Sequence, residues 1–156
     1  MRAVTIDGMS ETVTYQPLTS ENASLLQTAD VFDNAIKPDQ LAAFLAQPGH
    51  HMVLAIISGA IVGMGSATVL LHPDKSPTLF INEVGVSEAH RRRGIGTDLV
   101  RRLIGWGDAQ GCMSTWLATE DDNHPARALY RACVGREQSG LVMYDWGDTS
   151  EHDAHD

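Results

Sequence analysis

The hydrophobic positions of the chain change period several times, and each change marks an element. Thr12-Val13-Thr14-Tyr15-Gln16 alternates and is rich in β-formers, which predicts a first strand ending at Pro17, with residues 1–11 expected as a flexible leader. Beyond Thr19 or Ser20, either able to cap, Leu25, Leu26, Ala29 and Phe32 recur at helical spacing with Glu21 in the first turn, predicting a helix to about Asn34. Pro38-Asp39 opens a shorter helix, Gln40 to Gln47, which Pro48-Gly49 ends. His51 to Ile57 is near-continuously apolar, as in a strand buried on both faces, and Ser58-Gly59 is a hairpin turn into Ala60 to Leu71. After a polar loop from His72 to Pro77, Thr78 to Val86 completes an antiparallel meander. Ile95, Leu99, Val100, Leu103 and Ile104 share one face of a helix that Gly111 stops. Met113 to Thr119 predicts a strand; Asn123 as N-cap with Pro125 just inside predicts a helix to about Cys133. Ser139 to Trp146 predicts a last strand, and the acidic tail, 147–156, is expected to fray.

The order is strand, two helices, three strands, helix, strand, helix, strand. It implies an α/β (α+β) domain spanning 1–156, with a mixed central sheet and helices on both faces. The net charge of −9 argues against a nucleic-acid partner and suits a small cationic substrate. Eight of the nine arginines lie between Arg91 and Arg136, so one region expects an anion while the rest of the surface attracts cations. There is no apolar run of the ~18 residues that a membrane helix needs, nor a secretory apolar core at the N-terminus, so no membrane partner and a cytoplasmic location are expected. Cys112 and Cys133 lack CxxC spacing and read as small hydrophobes. Adjacent His50 and His51 on a strand point to opposite faces, and no metal site is expected.

Between Asn82 and Thr97 an apolar strand gives way to a turn with three consecutive arginines, and two glycines one residue apart open the amphipathic helix. Unpaired N–H groups and the macrodipole at a helix start hold an anion without a special side chain. Gly94 and Gly96 lack the Cβ atoms that would keep a pyrophosphate from those groups, and Arg91, Arg92 and Arg93 add full charge.

Arg91-x-x-Gly94-x-Gly96, with a strand before it and a helix after it, resembles the pyrophosphate loop of the GNAT acetyltransferases. The later Asn123-x-x-Ala126-x-x-Leu129-Tyr130 is similar to a second motif of that superfamily, at the expected distance. The resemblance runs from about Val13 to Trp146; one departure is Arg136, where many members carry Phe. It implies the GNAT fold, with six to seven strands and about four helices, and acetyl-CoA as co-substrate. It implies a cofactor site of Val84, Gly85 and Val86, of Arg91, Arg92, Arg93, Gly94, Ile95, Gly96 and Thr97, and of Asn123 and Ala126, with oxyanion N–H donors at Gly85 or Val86. Tyr130 matches the family's proton donor to the departing thiolate, although an ordinary core aromatic would also fit there. Glu83, a lone carboxylate on an apolar strand, is the candidate base. Its side chain is expected on the face of Ile81 and Gly85, where burial would raise its pKa; the alternative is a solvated face or a structural ion pair.

A narrower resemblance, to the aminoglycoside 3-N-acetyltransferases of this type, rests on Val31-Phe32-Asp33, Asn82 to Val86, Leu117 to Asn123 and Met143-Tyr144-Asp145. Those enzymes carry Asp where this chain has Glu83. A polycationic acceptor needs several carboxylates and amides, and Asp33, Asn34, Glu83, Glu120, Asp121, Asp122 and Asp145 are the candidates. Acidic residues before a helix also suit a merely solvated loop. Three readings stand: an antibiotic-modifying acetyltransferase, a GNAT enzyme acting on a polyamine, peptide or protein amine, and a non-catalytic acyl-CoA-binding module. Exposed sheet edges and the family's habits suggest a homodimer.

Overall fold

The computed structural model describes residues 2–6 and 9–148, with side chains from Glu11 onward. Its strands are β1 (Arg2–Ile6), β2 (Met9–Pro17), β3 (His50–Ile57), β4 (Ala60–Leu70), β5 (Thr78–Val86) and β6 (Thr115–Trp116). Its helices are α1 (Pro38–Ala46), α2 (Ile95–Ala109) and α3 (His124–Ala132), with short 3-10 turns at Ala23–Thr28 and Glu88–His90. The strands lie in sequence order; neighbours from β1 to β5 are antiparallel, and β6 joins β5 in parallel. Strands β2 to β6 make the main open sheet and β1 extends it to six. No helix of the described residues is long and apolar enough to cross a membrane.

The core has two layers because β3 is apolar on both faces, as its unbroken run predicts. Val53, Ala55 and Ile57 pack with Ile95, Leu99, Val100 and Leu103 of α2. Met52, Leu54 and Ile56 pack with Leu26 and the partly buried Val31, Phe32, Ile36, Leu41 and Phe44. The β3–β4 turn has Ser58 at φ 50° and Gly59 at φ 78°, the left-handed pair that a tight two-residue hairpin needs. Helix α2 is also held to β2, where the Tyr15 hydroxyl donates to Asp98 at 2.9 Å and the Arg102 guanidinium lies 4.3 Å over the Tyr15 ring.

Close approach of α2 to the sheet depends on missing Cβ atoms. One on Gly65 of β4 would lie 2.9 Å from Leu103 Cδ1, and one on Gly107 of α2 would lie 2.8 Å from Leu79 Cδ2. Gly105, on the exposed side of the same helix, has nothing within 4 Å. Gly105→Ala is therefore expected to stabilise the protein by up to ~1 kcal/mol through helix propensity. In Gly107→Ala the same gain meets an overpacking cost of ~1–3 kcal/mol, so it is expected to destabilise. Urea midpoints moving in opposite directions check this; a shared upward shift would disprove the tight seat.

Four expectations fail. The described residues 2–6 and 9–11 are not a loose leader: β1 pairs antiparallel with β2 from Arg2↔Val13 to Ile6↔Met9, since Val4, Thr5 and Ile6 are β-formers that can meet the β-rich stretch at Thr12 to Tyr15. The first helix shrinks to the 3-10 turn Ala23–Thr28. Asn22 uses its side chain on the preceding turn, accepting from the Thr19 N–H at 2.8 Å and donating to the Pro17 carbonyl at 2.9 Å, and Ala29 is extended at φ −75°, ψ 139°. Strand β6 keeps only Thr115–Trp116 of the expected Met113 to Thr119, because its pairing with β5 stops at Phe80↔Trp116, just before a bulge. Ser139 to Trp146 forms no strand: the described chain beyond Gly135 is exposed, and Glu137 is tied back to α3 by Arg127 and Arg131. The part of the expected frayed tail beyond Asp148 lies outside the described residues.

Candidate active site

The bulge decides where Glu83 points. Ser66 pairs with Glu83 and Ala67 with Ile81, which leaves Asn82 as the extra residue. Ile81 therefore joins the α2 layer, while Glu83 and Gly85 face the other side with Ser66 and Met64. The expectation that Glu83 shares a face with Ile81 is wrong by this one residue, although it does share one with Gly85. The carboxylate is also exposed and not buried, so the sheet does not desolvate it.

Beyond the bulge the ladder fixes which backbone groups are available. The Ser87 N–H donates to the Val62 carbonyl at 2.8 Å. Strict alternation then turns the N–H of Gly85 toward β4 and those of Val84 and Val86 toward the side where β6 no longer pairs. Of the two expected oxyanion donors, Val86 keeps a suitable orientation and Gly85 does not. The Val86 carbonyl, on the same side, accepts from Arg91 Nε at 3.2 Å.

The phosphate-type loop follows directly. Ser87 Oγ and His90 Nδ1 lie 2.7 Å apart across the 3-10 turn, and the His90 N–H donates to the Ser87 carbonyl at 2.9 Å. Arg92 at φ 62° and Gly94 at φ 80° are left-handed. Alternation of left- and right-handed residues turns successive N–H groups toward one concavity, an anion nest, here opening onto the N-terminus of the 15-residue helix α2. Arg93 Nη1 is buried without a hydrogen-bond partner. These features fit a phosphate group. Ile95 is 1% exposed, so only its backbone can serve a ligand, and the Thr97 carbonyl lies 4.0 Å from Cys133 Sγ.

Gly96 has a job that the sequence alone did not reveal. A Cβ there would stand 3.1 Å from Leu129 Cδ2, so this glycine seats α3 against the first turn of α2 and joins the two motifs physically. At the start of α3 the Asn123 side chain accepts from the Ala126 N–H at 3.2 Å, as an N-cap should, with Pro125 in the first turn. Tyr130, on the same helix, is packed against the α2 layer. Burial first, and then the neighbouring Cys133, push its phenol pKa up, so the hydroxyl keeps its proton through the neutral range.

Gly85 is the second glycine with an unforeseen role. A Cβ on it would lie 2.9 Å from the Val31 carbonyl oxygen, so the 29–36 loop sits directly on β5 one position beyond Val84. A glycine inside a strand is the one signal in the sequence for such an approach. The loop brings Asp33 and Asn34, both exposed, to the Glu83 face, and Asn34 also lines a cavity of about 270 Å³ with Leu26, Phe32, Ile36 and Leu41. Glu120, Asp121 and Asp122 lie exposed between β6 and α3. Their carbonyls accept from the Asn123 N–H at 3.1 Å, Arg127 Nη1 at 2.5 Å and the His124 N–H at 2.9 Å respectively. Asp145, expected beside them on a last strand, instead stands on the exposed unpaired segment.

A model described as the acetyltransferase (GNAT) family matches residues 18–135. The chain is 34% identical to the N-alpha-acetyltransferase RimI of Mycobacterium tuberculosis, over 71% of this chain and 67% of that protein. It is 22% identical to an aminoglycoside N(6')-acetyltransferase type 1 of Salmonella typhimurium, over 72% and 74%. It spans about half (51%) of the length of another relative, the L-2,4-diaminobutyric acid acetyltransferase of Oceanobacillus iheyensis, at 26% identity over 60% of this chain. Among solved structures, an aminoglycoside acetyltransferase from an uncultured soil metagenomic sample, in complex with sisomicin, superposes with a TM-score of 0.75 at 18% identity, over 86% of this chain and 97% of that one. Nest, helix start and capped α3 thus occur in a chain whose fold and family agree: it belongs to the GNAT acetyltransferase family.

Proposed function

We propose that the chain transfers an acetyl group from acetyl-CoA to an amine of an aminoglycoside, with the 3-amino group as the position implied by the narrower sequence resemblance. The observation that carries the donor half is the nest at Arg92–Gly94 at the start of α2. Arg91 to Thr97 hold the pyrophosphate, chiefly through backbone N–H groups. The Val86 N–H, with Val84 beside it, faces the thioester oxygen as charge develops there. Glu83, directly or through water, takes the proton that the attacking neutral amine loses. The amine nitrogen bonds to the acetyl carbon, the C–S bond breaks, and Tyr130 returns a proton to the thiolate. Because its pKa is raised, Tyr130 stays a proton donor until the pH rises above the ordinary tyrosine range.

The acceptor half rests on charge and placement. Asp33 and Asn34 on the loop seated at Gly85, and Glu120, Asp121 and Asp122 after β6, offer acceptors to a polycation on an acidic protein. A second reading, acetylation of a peptide or protein N-terminus, is favoured by the 34% identity to the RimI protein. Thiol release from acetyl-CoA with a panel of aminoglycosides, polyamines and peptides separates them. Release with gentamicin-type aminoglycosides supports the first reading; release with peptides alone overturns it; none with any amine leaves a binding module.

Gly85→Ala tests the loop. The added methyl meets a backbone carbonyl, which cannot rotate away, so the 29–36 loop must shift. The acceptor KM is expected to rise about tenfold while acetyl-CoA affinity stays within about twofold. Equal losses for both substrates would place Gly85 in the donor site instead.

A further inference from the structure

The bulge that turns Glu83 away from α2 also puts a pair of aromatic rings on its face. On β4, Ser66 pairs with Glu83 and Thr68 with Phe80. Residues two apart on one strand share a face, so Phe80 and Glu83 lie on the same side of the sheet, about 7 Å apart along it. Phe80 pairs in turn with Trp116 of β6, and the two rings meet with centroids 4.5 Å apart and planes tilted by 41°. The aromatic pair thus carries the Glu83 face out to the last strand.

Trp116 is not a core residue. It is 50% exposed, whereas Leu79 and Ile81, on either side of its partner Phe80, are 0% and 4% exposed in the α2 layer. A large ring held in place by a ring contact on one side and open on the other, in a chain of net charge −9, has the chemistry to receive a cation. The face of an aromatic ring carries negative potential, and indole attracts an ammonium group most strongly. Polar groups border the rings. Asn82 Nδ2 donates to Thr68 Oγ1 at 2.9 Å, and the same hydroxyl lies 3.5 Å from His50 Nδ1. Ring faces beside hydroxyl, amide and carboxylate groups suit a saturated ring that carries both hydroxyl and ammonium substituents.

We propose that Trp116, backed by Phe80, is a specificity-determining platform for a second, non-reacting ammonium-bearing ring of the acceptor, whose reacting amine lies at Glu83. The inference rests on the aminoglycoside reading of the acceptor half. A single-ring amine reaches Glu83 without covering Trp116, while a multi-ring amino sugar spans both. The platform therefore favours the larger acceptor and leaves the donor, held from the nest at Arg92–Gly94, unaffected.

The test compares multi-ring gentamicin with single-ring 2-deoxystreptamine in thiol-release kinetics, and adds equilibrium dialysis of gentamicin, on the full chain and on Trp116→Phe, Trp116→Leu and Trp116→Ala. Leu and Ala are expected to raise the gentamicin KM, relative to that of 2-deoxystreptamine, and the gentamicin dissociation constant by about five- to thirtyfold; Phe, which keeps a ring face, by no more than about threefold. Unchanged gentamicin values in Trp116→Ala overturn the proposal. So does Trp116→Leu binding as tightly as Trp116→Phe, since the ring face then contributes nothing, and so does an equal rise for both acceptors. The comparison of Leu with Phe holds even if Trp116→Ala misfolds. A parent chain that binds gentamicin but releases no thiol ends the acetylation reading, and dialysis of the variants then decides the platform by itself. A parent chain that binds no gentamicin overturns both.

Discussion

Glu83→Gln lowers the acetylation rate by an expected ~10²–10⁴-fold, the range for loss of a general base, and changes acetyl-CoA affinity less than about twofold. The two effects separate because of where the residue lies. The nest is at Arg92–Gly94, whereas Glu83 is three residues before the end of β5, on the face turned to the 29–36 loop by the bulge at Asn82. Gln keeps the size and hydrogen-bonding shape of the side chain but cannot accept the ammonium proton. Glu83→Asp sharpens the test by shortening the reach by one methylene. Loss of rate with Asp as with Gln indicates direct contact with the amine; a rate retained with Asp indicates a water between them. Thiol release measures turnover and equilibrium dialysis measures acetyl-CoA binding. Unchanged turnover in Glu83→Gln removes the residue from the mechanism.

Much of the proposed donor site was legible because its parts are local. A strand, a polar turn with Arg91 to Arg93, glycines at 94 and 96 and a capped helix at Asn123 are written within short windows, and the chain folds them where the periodicity puts them. What escaped was set by single residues acting across the sequence. One bulged residue, Asn82, reverses the face of Glu83, and period-two reasoning has no means of seeing it. The roles of Gly85, Gly96 and Gly107 are distances to Val31, Leu129 and Leu79, residues from other elements. The first helix failed because Asn22 preferred a local turn and because the 29–36 loop is drawn onto β5, a tertiary contact that outweighs a weak helical pattern. The last strand failed because an apolar run does not name the edge that would receive it: Ser139 to Trp146 is exposed and pairs with none of the described strands.

Gly94→Val is expected to weaken acetyl-CoA binding by about 10–30-fold and to lower stability by ~1–2 kcal/mol. At φ 80° only glycine is unstrained, and a β-branched side chain is among the worst substitutes. The chain can relieve the strain only by rotating the peptide that begins α2, where the Gly94 carbonyl accepts from the Asp98 N–H at 3.1 Å in the first helical turn. That rotation swings N–H groups out of the concavity, so the loss falls on the pyrophosphate and not on the amine. Arg92 supplies the contrast, since it already holds φ 62° without being glycine. Arg92→Gly should raise stability by up to ~1 kcal/mol by relaxing the backbone. It should weaken binding by only a few-fold through the lost charge, an effect that salt reduces. Equilibrium dialysis of acetyl-CoA at two ionic strengths, with urea unfolding of each variant, reads both quantities. A Gly94→Val protein that binds acetyl-CoA as tightly as the parent would show that the arginines, and not the backbone nest, hold the phosphates.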